Sequence, residues 1–165
     1  MNFRRCAGTV ALEMFEDCPD LDVIVAPLGG GGLLSGTGIV AKSAGRPVVV
    51  IGAEAEASPV FTSALAAGHI VTVAVKPTLA DGLAGNLEPG SRTFDLVRAV
   101  TDRVVAVTEA SIGRAMLDLV YQERLVVEGA GAAGVPALLQ LWRRGEIDLT
   151  GRTVGIHGCG NIGKE

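Results

Sequence analysis

This sequence predicts an α/β protein with three layers around a mostly parallel sheet, and three observations predict it. Short Val- and Ile-rich runs recur at 22–26, 47–54, 103–108 and 152–157, and each reads as a strand buried on both faces. Segments with helical periodicity alternate with those runs, the pattern that builds parallel strands through helical crossovers. The composition agrees: 48% of residues are hydrophobic and only 4% aromatic, so Val, Ala, Leu and Gly must fill the interior. A chain of 165 residues suffices for one domain with a core.

In chain order, residues 7–17 suit a helix with Val10, Met14 and Leu12 inward. The run 22–26 is the first buried strand; the glycines up to Gly32 break it, and a helix resumes from Leu33. After the strand 47–54, Ser58 offers an N-cap for a helix opening on Pro59, with Gly68 as its stop. A short strand is expected at 71–75 and a loop over 77–91, where turn residues crowd. A short helix over 92–100, the strand 103–108 and an amphipathic helix over 109–124 follow. Residues 125–127 suit a further short strand, followed by a glycine turn and a helix that Pro136 either weakens at its middle or starts. The strand 152–157 closes the series.

Charge and cysteine content narrow the function classes. A net charge of −4 lacks the clustered Lys and Arg of a nucleic-acid footprint. Cys6, Cys18 and Cys159 are too scattered for a disulfide scaffold or a zinc site, which fits a reducing cytoplasm. No apolar run reaches transmembrane length and no signal pattern opens the chain, so no membrane association is expected.

The chemistry concentrates in Pro27–Gly36, "PLGGGGLLSG". Four consecutive glycines between a strand and a helix cost conformational entropy, and a plain turn needs only one or two. At the carboxyl end of a strand they would expose backbone N–H groups at a helix N-terminus, where the helix dipole also favours an anion. This is a phosphate cradle made of main chain. It is not a Walker A loop, because no Lys-Ser/Thr follows. A second glycine pattern, Gly158-x-Gly160-x-x-Gly163, has the spacing of a dinucleotide turn, but only two residues follow it where a helix is required.

Together "PLGGGGLLSG", "GAEAEASP", "TLADGLAG", "EPGSRTFDLV" and "LVVEGAGAAGVPALL", in that order, resemble the fold type II pyridoxal-phosphate enzymes, in particular the threonine/serine ammonia-lyases and serine racemases. The resemblance implies the large-domain part of the tryptophan synthase β-like fold, with pyridoxal 5'-phosphate as cofactor and an amino acid of the threonine or serine class as substrate. It implies that Gly29, Gly30, Gly31, Gly32 and Leu33 hold the cofactor phosphate, and that Gly82 lies beside the reacting end. Glu128 would stand near the edge of the pyridine ring, or serve only as an N-terminal helix acid facing the dipole. Asp81 reads as a loop cap rather than a base.

The family's last strand ends in Ser/Cys-Gly-Gly-Asn, whose hydroxyl or thiol faces the pyridine nitrogen. Here, aligned on Asn161, Gly158 takes that position and Cys159 falls one residue late. Either Cys159 serves after a small loop shift, or the nitrogen meets water. Glu54 matches the first carboxylate of the racemases' divalent-metal site, but Ser58 and Val60 follow where further ligands would be, so no metal is expected.

Such an enzyme also needs a lysine to hold the cofactor covalently. Lys42, Lys76 and Lys164 are the three candidates, and none stands in the family's Ser-x-Lys context. The expectation is a single domain over 1–165 that forms the C-terminal, cofactor-binding part of a larger fold, whose N-terminal half carries the lysine. No residue here is expected to be catalytic. The expected activity is β-elimination of water with deamination of a hydroxyamino acid, silent in this chain alone. A phosphate-binding remnant and an NAD-binding dehydrogenase fragment are the competing expectations, and a homo-oligomer is compatible with all three.

Overall fold

The computed structural model describes residues 3–157, with side chains from residue 7 onward. Four parallel strands form one sheet in the order β3-β2-β1-β4. They are β1 (Leu21–Pro27), β2 (Val49–Ala55), β3 (Arg103–Val107) and β4 (Thr153–Ile156). Helices α1 (Phe3–Asp17), α2 (Gly32–Lys42), α3 (Val60–Ala67) and α4 (Arg92–Val100) precede β3. Helices α5 (Glu109–Asp118), α6 (Gly129–Ala132) and α7 (Gly134–Arg143) connect β3 to β4. Among the described residues no helix is long and apolar enough to cross a membrane.

The period-two alternation of the strands builds two cores. Val23 and Val25 of β1 point with Ile51 and Ala53 of β2 into a core shared with Ile112 of α5 and with Ala137, Leu138 and Leu141 of α7. Ile24 and Ala26 point the other way, with Val50, onto Leu34 of α2, Phe61 of α3, and Phe94 and Val97 of α4. Both faces are covered, which is why these strands read as continuous apolar runs. The register places Val25 between Ile51 of β2 and Ile156 of β4, so β1 is the strand paired on both sides that feeds the glycine loop.

Five local expectations are corrected. Leu12 is exposed rather than inward, since the face of α1 that meets the core carries Ala11 and Met14. Residues 71–75 are not a strand. No strand lies beside them; instead the Asn86 side chain accepts from the Val73 N–H at 2.8 Å and donates to the Val73 carbonyl at 3.1 Å, replacing a neighbouring backbone. Residues 125–127 are likewise no strand, and Leu125 and Val126 are exposed. Helix α5 stops at Asp118 and widens into a π turn over Leu119–Glu123, closed by Arg124 in the left-handed region at φ 61°. Pro136 neither starts the next helix nor weakens its middle. It interrupts the helical run at Ala133, because its ring supplies no N–H to the Ala132 carbonyl four residues back.

Candidate functional site

The carboxyl ends of the strands converge where the strand order reverses. From β1 the chain moves to β2 on one side, while β4 returns on the other, and such a switch point opens a crevice in α/β sheets. The tetraglycine loop follows β1 at this edge. Gly31 is the N-cap of α2 and takes the left-handed region at φ 79°, which only glycine enters at low cost. Its carbonyl accepts from Ser35 N at 3.0 Å, and the Ser35 hydroxyl donates to the Gly32 carbonyl at 3.0 Å. The N–H groups of Gly29, Gly30 and Gly31 have no hydrogen-bond partner among the described residues. Gly30 is exposed, with open space where a side chain would begin.

The walls of the loop are packed. A Cβ on Gly31 would stand 2.7 Å from Cζ of Phe61 and 3.1 Å from Cβ of Thr93. A Cβ on Gly29 would stand 2.9 Å from the Gly82 carbonyl oxygen, and one on Gly82 would stand 3.5 Å from Cβ of Ala130. The structure thus brings the glycine loop, the 3₁₀ turn Asp81–Leu83 and the start of α6 together. Gly129 fits there only without a side chain, since a Cβ would stand 2.1 Å from the Leu79 carbonyl oxygen.

Carboxylates fix these walls. Glu128 accepts from Ala130 N and Gly131 N, both at 2.7 Å, which is the helix-cap alternative for this residue. Asp81 accepts from Gly82 N at 2.9 Å, as a loop cap does. Sequence reasoning missed Glu109, which accepts from the Thr78 hydroxyl at 2.6 Å and from Leu79 N at 2.8 Å and so pins the loop that enters the site. No spacing rule links Glu109 to a loop thirty residues earlier. It also missed Phe61, an ordinary core residue by sequence.

Glu54 is fully buried. It accepts from Phe61 N and Thr62 N, both at 2.9 Å, and from the Thr62 hydroxyl. Burial raises its pKa above the ordinary 4.5, opposed by the hydrogen bonds from Thr62 and Phe61. Ser58 is not the cap of α3, because its hydroxyl donates to the Gly85 carbonyl and accepts from Gly85 N, each at 3.1 Å. Among the described residues no group of His, Cys, Asp and Glu could hold a metal ion.

Lys42 lies at the far end of α2, donating to Asp102 at 2.6 Å and to the Val48 carbonyl at 2.8 Å, and Lys76 is exposed. Gly158, Cys159 and Lys164 lie outside the described residues. A surface cavity of about 710 Å³ between α5 and α7 shares no residue with the glycine loop, and its Arg114 is paired with Asp118 at 2.9 Å.

Comparison with known proteins converges on one family. A family model described as pyridoxal-phosphate dependent enzyme matches residues 1–158. L-threonine ammonia-lyase of Thermotoga maritima is 45% identical over 149 residues, covering 90% of this chain and 36% of that protein. The catabolic L-threonine dehydratase TdcB of Escherichia coli is 37% identical over 158 residues, covering 94% of this chain and 46% of that protein. Maize serine racemase superposes with a TM-score of 0.83 at 32% identity, over 95% of this chain and 49% of its own. The chain therefore spans less than half the length of these relatives.

Proposed function

The chain belongs to the pyridoxal-phosphate dependent enzymes, and we propose that residues 29–33 grip the phosphate of pyridoxal 5'-phosphate in the active site of a threonine/serine ammonia-lyase. The observation that carries this is the start of α2: unpartnered amides at Gly29, Gly30 and Gly31, the left-handed Gly31, and open space at Gly30. Amides at a helix N-terminus bind a phosphate dianion without a basic side chain. Each such charge-assisted hydrogen bond contributes roughly 1.5–3 kcal/mol, so three or four suffice to retain the group. The fit is good, because Gly30 leaves the cradle open while Phe61 and Gly82 keep it rigid.

When bound, the cofactor supplies an electron-withdrawing ring that acidifies the α-carbon of an amino acid. The residues here bind and orient. Gly82 lets the 81–83 turn lie against the glycine loop, on the side assigned to the reacting end. Glu128 holds the start of α6 as the opposite wall, at the ring edge. Gly158 and Cys159 are assigned to the pyridine-nitrogen side. We place the covalent lysine and the loops that take the substrate carboxylate in a segment outside these residues, so that this chain is the C-terminal, cofactor-binding part of a larger fold. The threonine ammonia-lyase and serine racemase relatives support a small hydroxyamino acid as substrate, and the helix-capped Glu54 favours elimination over a metal-assisted racemisation.

The test is a titration of the purified chain followed by backbone amide NMR. Pyridoxal phosphate and inorganic phosphate are expected to shift the amides of residues 29–33, and pyridoxal without its phosphate is not. Unmoved amides at saturating cofactor would overturn the assignment. Incubation with cofactor and threonine is expected to give no 2-oxobutanoate from this chain alone; robust turnover would mean that one of its own lysines is the anchor.

A further inference from the structure

A buried carboxylate is expensive unless its hydrogen bonds repay the lost hydration, and a well-packed apolar residue is often as stable in its place. Glu54 therefore invites the question of what it does. It sits on β2, one residue before the strand ends. Helix α3 lacks a local cap: Pro59 at the N-cap position offers no side-chain oxygen, and the Ser58 hydroxyl is engaged by Gly85. The carboxylate of Glu54 reaches across from the sheet and takes over, accepting the amides of Phe61 and Thr62 and the Thr62 hydroxyl. The two residues it fixes are the second and third of α3. The first of them, Phe61, is fully buried and sends its ring tip to the site where a Gly31 side chain would begin.

We infer that Glu54 is a positioning residue of the phosphate cradle, holding the Phe61 ring against Gly31 and so fixing the left-handed turn that aims the free amides. The path is short: carboxylate to the Phe61 amide, Phe61 ring to Gly31, Gly31 to the start of α2. Three donors from α3 fill three of the roughly four acceptor positions on the Glu54 carboxylate, two on Oε1 and one on Oε2. This role rests on the cradle proposed above.

The experiment compares the purified chain with Glu54→Gln, Phe61→Leu and Leu141→Ala, reading the Gly31 amide signal of the free protein and the dissociation constant for pyridoxal phosphate. Gln sets an NH₂ group against one of the two helix amides, and Leu removes the ring while sparing the cap. Both variants are expected to move the Gly31 signal and to weaken cofactor binding about tenfold. Leu141 packs on the other face of the sheet, and its variant should lose stability with the Gly31 signal and the affinity unchanged. If Glu54→Gln folds and keeps the wild-type Gly31 signal, the positioning role is wrong. If it does not fold, Phe61→Leu decides alone, and an unmoved Gly31 signal there overturns the inference. A wild-type chain that binds no cofactor at 29–33 would sink the cradle, while the Gly31 signal would still decide whether Glu54 holds the turn.

Discussion

Gly31 and Gly30 are neighbours of one residue type with opposite duties. Gly31→Ala would hold an L-residue at φ 79° and drive its methyl into the Phe61 ring. The expected loss is about 2–5 kcal/mol of stability, readable as a lowered denaturation midpoint. Gly30→Ala meets no atom, so stability should stay within about 1 kcal/mol of wild type while the affinity for pyridoxal phosphate falls. Equal stability losses in the two variants would contradict this division. That the run is more than a plain turn requires was legible in its length, since a turn needs fewer glycines. Which member bears strain and which borders open space was not legible, because that depends on Phe61, thirty residues on.

Among the elements, the strands 22–26, 47–54, 103–108 and 152–157 were legible because burial on both faces leaves continuous apolar runs. The two strand failures share one cause. Residues 71–75 and 125–127 carry strand-like composition but have no strand beside them, and pairing is a property of neighbours rather than of a segment. The loop entering the site depends in the same way on a distant partner. Glu109→Ala should free Thr78 and Leu79, costing about 1–2 kcal/mol. It should also speed hydrogen exchange at the Leu79 amide. An unchanged exchange rate would show that packing under Gly129 alone holds the loop.

For the molecule as a whole, the sheet closes when β4 docks beside β1, and His157 sits at the end of that contact with its N–H on the Val25 carbonyl at 2.9 Å. Burial holds the His157 imidazole below its ordinary pKa of 6.5. As pH falls, the unfolded chain therefore takes up this proton first. The stability tied to His157 is complete above pH 6.5 and is lost as pH drops from there toward the lowered folded value. His157→Gln should flatten the dependence of the urea midpoint on pH in that window, and an identical slope in the variant would refute the assignment.

By itself, the order of apolar runs determined the α/β class and the parallel sheet, because their periodicity has a direct physical meaning, and five motifs in order carried the resemblance to the family. Only the tertiary structure decided that Gly29 lies on Gly82, that Gly82 lies on Ala130, that Glu109 pins the entering loop, and that Glu54 caps α3 behind Phe61. Those contacts join segments far apart in the chain, and no local pattern encodes a partner that is brought close only when the sheet is built.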